Sequence, residues 1–277
     1  MPACPECGAP YPAAAPETGA RWTGEEEDDT LERRLRLIAP PAILVLGFVL
    51  MHAGVLGALI RIFDTMWLHE LGHAVTAWLS GFGAFPGPWK TSIAETRSPI
   101  VTILVLVVLG GLGYWGHRTD KRWLVVTTAV LAVTSLFMTL AIKRPAAQGV
   151  ILFGGDAGAL VFGTALFATF FAPRGSKLQV SWLRWGFIVL GAFGFADIFT
   201  VWWRARHDLD VIPFGEIEGV GHSDPTRLVD DHGWSVPALV SRYVTLGVVC
   251  IVVMAALYVV FAVIPAVRRS SDRPASP

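Results

Sequence analysis

The chain has 277 residues, 53% of them hydrophobic and 16% charged, with Lys plus Arg and Asp plus Glu equal at 22 each. The apolar residues run in blocks about 20 residues long instead of recurring at amphipathic spacing, which excludes an ordinary soluble domain. The balanced charge excludes the basic field that nucleic-acid binding requires.

Residues 1–38, rich in proline, alanine and charge, are expected to form a flexible N-terminal tail. The opening MPACPECGAPYPAAAP lacks the basic start and apolar centre of a secretory signal, so the tail is expected to be retained. Cys4 and Cys7 have the spacing of one zinc knuckle, but a closed structural site needs four ligands and no second pair follows. Cys250 lies in an apolar run and reads as a packing residue, so no disulfide framework is implied.

Residues 39–268 are expected to form an all-α, polytopic membrane helix bundle with six or seven transmembrane helices, followed by a C-terminal tail at 269–277. The candidate spans are about 39–60, 62–81, 98–115, 123–142, 147–172, 182–203 and 239–267. The second is short: Asp64 reads as its N-cap and Gly81 as its stop. A polar excursion at 204–241 separates the last two spans, with Asp224-Pro225 and Ser235-Pro237 reading as helix starts and Gly233 as a stop. Arg33, Arg34 and Arg36 precede the first span, which favours a cytosolic tail and a multi-pass protein of the cell membrane.

The second span contains His69-Glu70-Leu71-Gly72-His73, an H-E-x-x-H. On a helix the two histidines fall on one face a turn apart, where both can bind one Zn2+, and the glutamate can take a proton from a metal-activated water. At this chain's composition such a pattern arises by chance on the order of 0.006 times in its length. Three ionisable groups in an apolar helix also need partners, and a metal supplies one.

Catalytic zinc commonly takes a third protein ligand. Asp156, in Phe153-Gly154-Gly155-Asp156-Ala157-Gly158, is the first candidate, because Gly154 and Gly158 share a helical face that admits a close neighbour. Asp197, inside another apolar run, is the alternative. His222, Asp224, Asp230, Asp231 and His232 offer further ligand or substrate contacts, but turn capping and solvated charge account for most of them. His52 and Asp64 flank the motif and read as satisfied structural residues.

HELGHAVTAWLSG, followed by a glycine-flanked aspartate in a later apolar segment, resembles the site-2 protease family of intramembrane zinc metallopeptidases, particularly its short bacterial branch without a PDZ domain. The resemblance implies two zinc ligands at His69 and His73, a catalytic base at Glu70 and a third ligand at Asp156. The second motif reads Gly-Gly-Asp-Ala-Gly here, where the family commonly has Asn-Pro-x-Asp-Gly or Leu-Asp-Gly. SDPTRLVDDHGWSVPALVSRY is similar to a closing element of the short branch, so the likeness extends over about residues 60–265. The expected function is a zinc metalloendopeptidase that cleaves membrane-embedded or membrane-proximal polypeptides within or near the lipid bilayer. A membrane metal-binding or transport protein without hydrolysis is the alternative.

Overall fold

The computed structural model describes residues 23–271 except 174, 175, 180, 181 and 218–220. Cys4 and Cys7 lie outside the described residues. Helix α1 (Thr23–Leu50) begins well before the expected first span, so 23–38, read as tail, is helical. Two of its charges are partnered: Glu32 accepts from Arg36 at 2.7 Å and from Arg184 at 2.8 Å.

The chain breaks at 51–54, where Gly54 takes φ 53° and a 110° bend separates Asp29–Leu50 from Val55–Leu79. Helix α2 (Val55–Ile60) then runs through a π turn (Arg61–Thr65) into α3 (Met66–Leu79) without interruption. The break expected at Arg61 to Asp64, with Asp64 as a cap, is therefore displaced. Arg61 donates from Nε to both carboxylate oxygens of Asp197 at 3.1 and 3.2 Å, and with the arginine partnered inside the bundle the helix has no need to open at it. Gly81, at φ 79°, ends α3 as its sequence position suggests.

An antiparallel hairpin follows, β1 (Phe82–Pro86) against β2 (Thr91–Arg97), where the all-α expectation has no strand. It is fastened to the bundle by side chains: Trp78 Nε1 donates to the Ala84 carbonyl at 3.0 Å, and Arg97 donates to the carbonyls of Ser80 and Met138 at 3.0 and 2.9 Å. Helices α4 (Pro99–Arg118) and α5 (Arg122–Leu140) form a peripheral pair. Helices α6 (Arg144–Ala168) and α7 (Leu183–Arg204) form the centre. A second short hairpin, β3 (Glu216–Ile217) with β4 (Gly221–His222), leads to α8 (Asp224–Asp230). Helix α9 (Val236–Tyr258), capped by Ser235, runs through a π turn into α10 (Ile264–Ser271).

Among the described residues five helices are long and apolar enough to cross a membrane, or six if the bent pair counts as one span. Large apolar side chains such as Ile100, Leu104, Val107, Val126 and Val130 are exposed on the outer faces of α4 and α5. Such a surface suits hydrocarbon, so this helical bundle, with its two short hairpins, has the exterior of a membrane protein. Cys250 is buried and free, in keeping with a packing role.

The crossing of α3 and α6 fixes the site. A Cβ on Gly72 would run into the carbonyl oxygens of Gly154 and Gly155, and one on Gly158 would strike the Gly72 Cα. These glycines let two backbones touch, which in a bilayer is a main source of helix association. Gly72→Ala is expected to destabilise the protein by at least about 1–3 kcal/mol, the cost of overpacking. Gly110→Ala, whose Cβ meets nothing within 4 Å, should stay within about 1 kcal/mol of wild type or gain stability from helix propensity. Thermal unfolding in detergent checks the contrast, and equal midpoints would contradict the packing argument.

Candidate metal centre

Residues 69 and 73 lie one turn apart on α3, and both rings face α6. The Nδ1 atom of His73 lies 2.8 Å from the Ile151 carbonyl oxygen, which can only accept, so this nitrogen carries the proton. The Nδ1 atom of His69 lies 2.8 Å from Asp156 Oδ1, and the carboxylate likewise accepts a hydrogen bond from its N–H. In the neutral rings each Nε2 therefore presents a lone pair, and the two Nε2 atoms face each other at 3.0 Å.

A carboxylate joins them. Asp224 Oδ2 lies 2.8 Å from His73 Nε2 and 3.2 Å from His69 Nε2. Three electron-pair donors crowded together repel unless a cation sits among them. One extra proton can serve one of the three contacts at a time, whereas a divalent ion serves all three. With these separations a point about 2 Å from all three atoms exists just outside their plane, which is the bond length Zn2+ makes to nitrogen and carboxylate oxygen. Among the described residues His69, His73 and Asp224 are the group whose atoms converge in this way.

Asp224 reaches the site through the start of α8. Ser223, with Thr226 N at 3.4 Å from its Oγ, is the N-cap, and Asp224 is the first helical residue with Pro225 after it. The capping work falls to serine, so the aspartate side chain is free to turn toward α3. Burial alone would raise the Asp224 carboxyl, but positive charge on the adjacent His73 and His69 rings, when they are protonated, outweighs it and holds the carboxyl well below the ordinary range. Ligation takes the carboxylate form.

The arrangement changes the part expected of Asp156. It does not lie with the Nε2 atoms but behind the His69 ring, where Oδ1 meets Nδ1 and Oδ2 accepts from Trp202 Nε1 at 2.7 Å. Glycine spacing had predicted its approach to α3, and it does approach, on the opposite nitrogen. Asp197 is paired with Arg61 and is not in the converging group. Asp64 is buried with one carboxylate oxygen unpartnered, and His52 is exposed with Nδ1 2.9 Å from the Phe48 carbonyl. In the excursion Asp230 and Asp231 are exposed, Asp231 lying 3.7 Å from Arg227, and His232 packs on Gly149.

Glu70 is buried, and the Thr91 hydroxyl lies 2.7 Å from its Oε2 and 2.8 Å from its carbonyl oxygen. It opens onto a cavity of about 430 Å³ lined also by His69, His73, Asp224, Trp89 and Arg227. A second cavity of about 280 Å³ lies between Arg61, His69, Asp156, Asp197 and Asp224. The first thus brings the motif carboxylate, the converging donors and a water-accessible volume together.

The donor set is held from behind by Gly155, where a Cβ would come within 2.5 Å of both His69 Cε1 and His73 Nε2. Those atoms are side-chain ends that can swing aside, so Gly155→Ala is expected to fold and to lose bound metal. Metal content beside circular dichroism checks this, and undiminished zinc would contradict the placement of the rings.

The chain matches no family model, no curated protein and no solved structure.

Proposed function

We propose that this membrane protein is a zinc metalloendopeptidase that hydrolyses peptide bonds of membrane-embedded or membrane-proximal polypeptides. The observation that carries the reading is the meeting of His69 Nε2, His73 Nε2 and Asp224 Oδ2 within 3.2 Å of one another, beside Glu70 in one cavity. Two imidazoles and one carboxylate suit zinc in its catalytic form, with three protein ligands and one open position. When bound, the ion would supply Lewis-acid polarisation of the scissile carbonyl and lower the pKa of water.

The chain's own residues supply the rest. His69, His73 and Asp224 would hold the ion; Glu70 would accept a proton from the attacking water and return it to the departing amine. Thr91 offers a hydrogen bond to the Glu70 carboxylate at 2.7 Å and keeps it aimed along the cavity wall. The apolar exterior suits a protein embedded where membrane-spanning and membrane-proximal polypeptides are at hand, and Arg33, Arg34 and Arg36 favour a cytosolic N-terminal side. The motif's resemblance to the site-2 protease family points the same way, with Asp224 replacing Asp156 as proposed third ligand.

The test is cleavage of membrane-anchored polypeptides by chelator-stripped protein in lipid nanodiscs, before and after zinc is restored. Cleavage that appears only with zinc is expected. Stoichiometric zinc with no cleavage of any anchored polypeptide, together with zinc flux across protein-bearing vesicles, would instead establish the transport reading.

A further inference from the structure

Behind the metal ligands lies a second line of contacts that joins three helices to one nitrogen. Trp202 on α7 is fully buried, and its Nε1–H donates to Asp156 Oδ2 at 2.7 Å. Asp156 on α6 uses its other oxygen, Oδ1, at 2.8 Å from His69 Nδ1. The indole is stacked on Tyr243 of α9, ring centroids 4.1 Å apart and planes at 24°. The Tyr243 hydroxyl in turn donates to the Phe153 carbonyl at 3.1 Å, one turn of α6 before Asp156. Phe153 also stacks on Tyr243 at 4.4 Å.

A carboxylate is free to rotate and has two oxygens of equal basicity. Here each oxygen has its own donor. That division fixes the carboxylate plane, keeps the acceptor on His69 Nδ1 and so keeps the lone pair on Nε2, where a ligand nitrogen must offer it. Without the indole N–H, Oδ2 would lose its protein donor and the carboxylate could turn. His73 needs no such device, because its Nδ1 faces a backbone carbonyl that α6 already holds rigid.

We infer that Trp202 and Asp156 form a positioning chain that sets the tautomer and aim of His69, with Trp202 acting on the metal centre through Asp156 and not by touching it. The inference rests on the metal-centre reading above and adds to it a residue that no motif marks. Outer carboxylate partners of metal-bound histidines commonly govern affinity by about 10–100-fold, and a chain that holds such a partner should govern it in the same way.

The test is titration of the chelator-stripped full chain with Co2+, read by its visible ligand-field bands, followed by competition with Zn2+. Trp202→Phe keeps a ring against Tyr243 and deletes the N–H; it is expected to weaken metal binding by about 10–100-fold. Asp156→Ala should lose a similar factor, and the double variant should be no weaker than Asp156→Ala alone, because both act through one nitrogen. Band positions in the loaded variants should match wild type, since the ligands themselves are unchanged. The thermal midpoint of metal-free Trp202→Phe is expected to fall, because a buried ring shrinks and a buried hydrogen bond is lost, so the absence of any further weakening in the double variant is what separates positioning from a purely structural part.

Unchanged affinity in Trp202→Phe, or losses that simply add in the double variant, would overturn the chain while leaving the metal centre intact. A changed Co2+ spectrum in Asp156→Ala would overturn it by making Asp156 a ligand. Wild type that binds no Co2+ would overturn the metal centre itself and the chain with it. Should Trp202→Phe not fold, Asp156→Asn decides: its amide has one oxygen for two donors, so the same loss is expected and full affinity would refute the inference.

Discussion

Glu70→Gln is expected to retain its metal and to lose hydrolysis by about 10²–10⁴-fold, the range that a well-placed general acid–base supplies. Glutamine has nearly the shape of glutamate, and its amide oxygen can still accept from the Thr91 hydroxyl that lies 2.7 Å from Oε2 in the native chain. What it cannot do is take a proton from water. Glu70 is not among the three atoms that converge on the metal position, so zinc content should be unchanged. Paired measurements of zinc stoichiometry and cleavage of an anchored polypeptide check this. A variant that loses zinc would make Glu70 a ligand and favour the non-hydrolytic metal-binding reading; one that keeps full activity would remove it from the chemistry.

Asp224→Ala is expected to abolish stoichiometric zinc, with a larger loss than the about 10–100-fold expected when only an outer partner such as Asp156 is removed. The loss should be chemical and not a consequence of unfolding. Helix α8 remains anchored through Leu228, which is fully buried, and through the Ser223 cap. Competition of Asp224→Ala and Asp156→Ala for zinc against a chelator of known affinity measures the order directly. If Asp156→Ala were the weaker binder, the sequence resemblance would have named the right ligand and the geometry the wrong one.

The two halves of the site differ in how far they can be read from sequence. His69, Glu70 and His73 are legible because one helical turn converts their spacing into geometry without any knowledge of the fold. Asp156 is half legible: Gly154 and Gly158 say that α6 touches α3, but nothing local says which side of the imidazole the carboxylate meets. Asp224 ranks behind Asp156 and Asp197 because an aspartate before proline reads as a cap. The available signal was Ser223, a sufficient cap one residue earlier, which leaves Asp224 in the first turn without that work.

The fold shows the same division. Apolar runs of span length identify α4 to α7 and α9, because hydrocarbon thickness sets their length. The break between α1 and α2 is misplaced because Arg61 and Asp64 look like a loop until Asp197, 136 residues beyond Arg61, pairs with the arginine. The β1–β2 hairpin is missed because its anchors are tertiary: Trp78 to Ala84, and Arg97 to Ser80 and Met138. Long-range polar pairing decides each of these, and single-residue patterns carry no record of it.

X-ray absorption at the zinc edge of purified, zinc-loaded protein tests most directly whether His69, His73 and Asp224 form one centre. The expected result is one zinc per chain with two imidazole nitrogens and one carboxylate oxygen at about 2.0–2.2 Å, and no stoichiometric zinc in His69→Ala. A metal with no imidazole scattering, or a chain that takes up no divalent ion at all, would contradict the account.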